Sequence, residues 1–178
     1  MKKYLFVAIL AVASIAAYAQ PRAIGANLGA NFGFSYQHGF GEANMLDVAV
    51  YTPWASGFIP GYGIQWGLGA TITYDWIDPF GATVPWNEKG EWHWYMGVGG
   101  DGGFIFPPAG APQGYLGGWV GAAGHFGIEY DFWFPLQLSL DWRPSIGVGL
   151  AGANGQVQAQ YNTGGLYQGI SLGVRYKF

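Results

Sequence analysis

Residues Leu166–Phe178 read LYQGISLGVRYKF, and from Ile170 to the end they alternate without a miss. Ile170, Leu172, Val174, Tyr176 and Phe178 fall on one side, Ser171, Gly173, Arg175 and Lys177 on the other. A period of two is that of an extended strand with one apolar and one polar face. A soluble protein has little reason to finish such a strand on a large exposed apolar residue. A transmembrane barrel does, because its strands alternate apolar-out and polar-in and carry aromatic girdles at both interfaces.

The same alternation recurs upstream. Tyr62, Ile64, Trp66, Leu68, Ala70, Ile72, Tyr74 and Trp76 interleave with Gly63, Gln65, Gly67, Gly69, Thr71, Thr73 and Asp75. Leu136, Leu138, Leu140 and Trp142 interleave with Gln137, Ser139, Asp141 and Arg143. Eight strands are predicted: Ile24–Leu28, Phe32–Phe40, Leu46–Thr52, Tyr62–Trp76, Trp92–Gly100, Val120–Phe132, Leu136–Val148 and Leu166–Phe178. The fold class expected is therefore all-β, an eight-stranded antiparallel up-and-down transmembrane β-barrel. An alternative division joins Ile24–Phe40 into one strand and makes Gln156–Asn162 the seventh. The first is preferred because it gathers Phe40, Trp76, Trp92, Phe132, Phe134, Tyr176 and Phe178 near one interface. It places outer loops at Gly29–Asn31, Pro53–Gly61, Asp101–Trp119 and Gly149–Gly165, and inner turns at Gly41–Met45, Ile77–Glu91 and Trp133–Pro135. Pro144, which has no N–H to give a ladder, is expected at a bulge.

The N-terminus supplies the compartment. Lys2 and Lys3, an apolar Tyr4–Ala17 and Ala17-Tyr18-Ala19 form a secretory signal peptide, residues 1–19, cleaved after Ala19. Its removal from 178 residues leaves 159, residues 20–178, a single barrel domain. Two of the seven basic residues go with it, so five remain against ten acidic ones, a net charge of −5. No basic patch suggests nucleic acid, and no Cys offers a disulfide or a lipid anchor. The sequence is 51% apolar and 19% aromatic with only 10% charged residues, far below the ~25–35% charge of a soluble surface. With no apolar run of helical length after the leader, a closed sheet is the remaining way to satisfy a backbone in lipid.

Polar residues predicted to project into the lumen are Asp47, Asp75, Glu91, His93, His125, Glu129, Asp131, Asp141, Arg143, Arg175 and Lys177. Buried charge needs partners, and an eight-stranded lumen is wide enough only for side chains or one small ligand. A paired network filling the lumen is the reading; Asp141 is expected to compensate Arg143. The alternative uses are a proton or ion path through His93 and His125, or a small cavity at the outer end. In that half Gly67, Gly69, Gly97, Gly99, Gly121, Ala123 and Gly147 face inward with little bulk. The plainer account is that these glycines ease strand coiling or accept aromatic neighbours.

Catalytic signals are weak. Gly97-Val98-Gly99-Gly100-Asp101-Gly102 lacks the Gly-Lys-Ser/Thr of a phosphate loop. His38, His93 and His125 have no metal-ligand spacing, and Ser35, Ser139 and Ser171 lack a nucleophile elbow. No enzyme activity, metal or cofactor is expected.

Gly127–Ile146 (GIEYDFWFPLQLSLDWRPSI) and Ser171–Phe178 (SLGVRYKF) resemble the small outer-membrane β-barrel proteins of the Bacteroidetes type, related to the OmpA-like and OmpX-like eight-stranded class. Ala23-Ile24-Gly25 and Ser35-Tyr36-Gln37-His38 share the resemblance. It implies an integral outer-membrane protein of a Gram-negative cell envelope, with outer-membrane lipid around it. It implies further that Ile170, Leu172, Val174, Tyr176 and Phe178 serve as the signal read by the barrel assembly machinery. The resemblance carries no catalytic residues. A monomer with a structural or interaction role is expected, and a narrow channel or carrier for a small or apolar ligand is the alternative.

Overall fold

A computed structural model describes residues 22–29, 31–52, 67–81, 89–107, 110, 116–153, 156–162 and 169–178. The expected leader, residues 1–19, lies outside them. Ten strand segments follow in order: β1 (Arg22–Gly29), β2 (Phe32–Gly39), β3 (Asn44–Thr52), β4 (Gly67–Ile77), β5 (Gly90–Ile105), β6 (Leu116–Phe132), β7 (Leu136–Trp142), β8 (Ser145–Ala153), β9 (Gln156–Asn162) and β10 (Ile170–Lys177). Each pairs antiparallel with its neighbour from β1 through β6, and β10 returns to β1, so the sheet closes. A closed sheet leaves no edge where it closes.

The ten segments make eight staves. Against β6, β7 and β8 keep a single register (Phe126↔Trp142, Ala123↔Ser145), so they are one stave interrupted at Arg143-Pro144. Pro144 has no N–H to give, but its carbonyl accepts the Gly124 N–H at 2.8 Å. On the other side the register jumps, from Ile170↔Trp142 to Asn162↔Gly147. Thus β9 and β10 form one stave with residues 163–169 between them. The barrel is the eight-stranded antiparallel, up-and-down one expected, and the antiparallel pairing of β1 with β2 rules out a single Ile24–Phe40 strand.

Several boundaries shift. The expected loop Gly149–Gly165 is mostly strand, its β8 and β9 pairing as far as Ala153↔Gln156. Asp101, read as the start of a loop, lies inside β5, which runs on to Ile105 opposite a β6 that begins at Leu116. The Tyr62–Trp66 part of the fourth predicted strand lies outside the described residues. The long connection after β4 contains a short 3-10 turn, Pro79–Gly81. Asp78 starts it at φ 44°, a conformation Asp tolerates; its N–H donates to the Trp94 carbonyl and its Oδ1 accepts the Trp94 N–H.

Alternation sorts the faces as the residues require. β4 is buried at Gly67, Gly69, Thr71, Thr73 and Asp75 and exposed at every residue between. Ile72 is 52% exposed and Phe34 75%, while Asp75 and His125 are fully enclosed. The side chains inside are mainly polar: Asn27, Ser35, Gln37, Asp47, Thr73, Asp141 and Arg175 among them. The arrangement inverts that of a water-soluble barrel. No helix among the described residues is long and apolar enough to cross a membrane. We call the end holding Arg22 and Phe178 the terminal end, and the opposite one the far end.

Candidate functional site: a polar lumen with one open mouth

Strand parity aims the polar side chains at the axis, and closure makes them meet. Arg175, on β10, is 1% exposed and reaches across the lumen. Its Nε donates to Ser35 Oγ on β2 at 2.8 Å, Nη1 to Ser139 Oγ on β7 at 2.6 Å, and Nη2 to Asn27 Oδ1 on β1 and Asp141 Oδ2 on β7, both at 3.3 Å. Asp47 Oδ2 on β3 stands 3.8 Å from the same nitrogen. One guanidinium thus ties four staves besides its own, using the fixed fork of donors that Lys lacks.

A second layer joins the first. Arg143 Nη1 donates to Asp47 Oδ1 at 2.7 Å. His125 lies between two carboxylates, Nδ1 2.9 Å from Asp75 and Nε2 3.1 Å from Asp141. The Tyr95 hydroxyl donates to Asp141 Oδ1, and Ser139 Oγ to Oδ2 at 2.7 Å. The ring thus bridges two carboxyl groups on different staves. Three carboxyl groups (Asp47, Asp75, Asp141) meet two guanidiniums (Arg143, Arg175) and the His125 ring in one core. The expected pairing of Asp141 with Arg143 is corrected: Arg143 goes to Asp47, and Asp141 takes Arg175 and His125. Pairing follows the shear of the barrel, which brings β3 and the middle of the β7–β8 stave to the same depth.

Toward the far end the lumen is filled by donors gathered on one carboxyl group. Asp101 accepts from Tyr51 Oη at 2.5 Å, Thr71 Oγ1 at 3.1 Å and Trp119 Nε1 at 2.9 Å. The two rings lie over Gly69, where a Cβ would come within 2.7 Å of Trp119 and 2.8 Å of Tyr51. The glycine here makes room for aromatic neighbours, the plainer of the two expectations. The cavity found instead lies at the terminal end.

That mouth encloses about 700 Å³, with Ala23, Met45 and Ile77 as apolar wall and Glu42, Asp78, Glu91, Glu129 and Asp131 as acidic lining. His93 Nδ1 is 2.6 Å from Asp78, and Lys177 Nζ is 2.9 Å from Asp131. Of the eleven predicted lumen residues, Asp47, Asp75, His125, Asp141, Arg143 and Arg175 form the core. Glu129 is buried between core and mouth, and His93, Asp131 and Lys177 stand at the mouth itself. Glu91 lines the mouth as well, 3.5 Å from His93 Nε2, but its side chain is 72% exposed, because β5 has only Gly90 before it and the axis is open to solvent there.

Sequence reasoning missed Asp101 and the roles of Tyr95, Ser35, Ser139 and Asn27. Asp101 had a signal, since it keeps the odd-numbered parity of Tyr95 and Gly97; Asp-Gly-Gly punctuation hid it. Ser35 and Ser139 are engaged with Arg175 and aspartates rather than a histidine. Among the described residues no three His, Asp or Glu side chains are grouped to hold a metal ion. In the terminal stretch Ile170, Leu172, Tyr176 and Phe178 are exposed on the outside, and Ser171 and Arg175 are enclosed. No protein-family model, no curated protein and no solved structure matches the chain.

Proposed function

We propose that this chain is an integral outer-membrane β-barrel with a side-chain-filled lumen, serving a structural or interaction role in the cell envelope and performing no catalysis. The observation that carries the reading is the inverted polarity: charge at the axis and an apolar exterior. Ile24, Leu28, Ile72, Val98, Leu140 and Leu172 are all exposed around the staves. In water that belt would be a continuous patch far beyond what monomers expose; in lipid it is the required surface. Aromatic contacts gather near the terminal end, Phe40–Tyr74–Trp76 and Tyr130–Phe132–Phe134, as an interfacial girdle would.

On this reading residues 1–19 are the export signal, and Ile170, Leu172, Val174, Tyr176 and Phe178 are the strand presented to the barrel assembly machinery. The resemblance to small Bacteroidetes barrels points to the same compartment, and the protein acts as a monomer surrounded by outer-membrane lipid. The core network and the Tyr51–Asp101–Trp119 closure favour a sealed lumen over the channel alternative. Outer-membrane extraction followed by electrophoresis with and without boiling tests the barrel: a heat-dependent mobility shift is expected. Planar-bilayer recording tests the seal, with no unitary conductance expected; steady ohmic steps would favour the channel.

A further inference from the structure

The mouth at the terminal end is not needed to close the barrel, yet it holds unused buried acceptors. Glu129 is only 4% exposed and lines the cavity, but its Oε2 has no hydrogen-bond partner. Asp131 lies two residues on and therefore on the same face of β6. Its Oδ2 holds Lys177 while Oδ1 is unpartnered. Buried polar atoms are ordinarily satisfied, and an acceptor left open is costly. These atoms therefore call for a donor entering from the cavity.

The donor's chemistry can be narrowed. A bare divalent ion needs a convergent oxygen cage, and no such group of ligands occurs among the described residues. An organic cation suits the cleft better. Its N–H groups meet dispersed carboxylates with charge-assisted bonds, and its alkyl part lies on Ala23 and Met45. The volume falls in the range of small-molecule sites, and the acidic excess of the lining raises the local concentration of cations. We propose that the mouth binds a small organic cation, a guanidinium or primary ammonium on a short alkyl arm, with Glu129 as its principal anchor and Asp131 as its second. The assignment goes beyond the sealed-barrel reading and holds whether or not the belt meets lipid.

The test is calorimetric titration of the full folded protein in detergent with agmatine, against N-butylurea as a neutral compound of similar length. Saturable agmatine binding is expected, at least about tenfold tighter than N-butylurea. Glu129→Gln should weaken it about tenfold or more, and Lys89→Gln, exposed and outside the lining, less than about twofold. Heat-shifted mobility of each variant verifies folding. Should Glu129→Gln not fold, Asp131→Asn serves in its place, with a smaller loss of about threefold expected. Equal affinity for the two compounds, or agmatine binding untouched in the folded anchor variant, overturns the proposal.

Discussion

The middle of the lumen and its terminal mouth are built from the same residue types and differ in their access to water. In the middle, Asp47, Asp75 and Asp141 each meet Arg143, Arg175 or His125 and none is accessible to solvent, while Asp75 Oδ1 and Arg143 Nε and Nη2 keep no hydrogen-bond partner. At the mouth, Glu91 and Lys177 remain partly in water, and Glu129 and Asp131 keep open acceptors. Position along the stave decides the difference. A charge several residues from either strand end is enclosed by seven other staves and must be paired, whereas one at the first or last pair can hydrate. The core therefore contributes rigidity and closure, and the mouth contributes accessible chemistry.

The sharpest way to break that contrast is to remove the hub. Arg175→Ala takes from Asp141 its guanidinium partner, leaving His125, and unties Ser35, Ser139 and Asn27; it should destabilise the barrel by about 3–5 kcal/mol, the scale of a broken buried ion pair. Urea unfolding in lipid vesicles measures it. A loss under about 1 kcal/mol would mean that water hydrates the core as well. Next, Ile72→Arg should cost ~2–4 kcal/mol in a bilayer near its midplane, read in the same assay; a near-zero effect would place that face in water. Asp101→Asn, which keeps shape but loses a charged acceptor for three donors, should cost about 1–3 kcal/mol. Lys177→Ala, breaking a half-hydrated pair at the mouth, should change stability by less than about 1 kcal/mol. A cost at Lys177 equal to that at Arg175 would erase the distinction between the two regions.

What was legible beforehand follows the same division. Period-two alternation is unambiguous in Leu136–Trp142 and Ile170–Lys177, because bulky apolar residues oppose charged ones, and both staves and their faces were read correctly. In Ser145–Ala153 glycine occupies several positions and the contrast fades, so the strand was ended at Val148 and its last five residues were assigned to a loop. Asn154-Gly155, a strong hairpin signal between two such runs, was the clue available there. Partner choice was not legible at all: Arg143 and Asp47 are 96 residues apart, and only register and shear bring them together. Glu129 was correctly turned inward, but parity alone says nothing about whether an acceptor is used.

The central claim is the direction of the two faces relative to lipid. The chain has no cysteine, so Ile72→Cys, Val98→Cys and Leu172→Cys each supply a unique attachment point for a fluorophore on the belt. In vesicles containing mid-chain brominated lipid, all three labels should be quenched by the lipid and unaffected by aqueous iodide. Quenching by iodide with no response to brominated lipid, at these three sites in a folded barrel, would contradict the account.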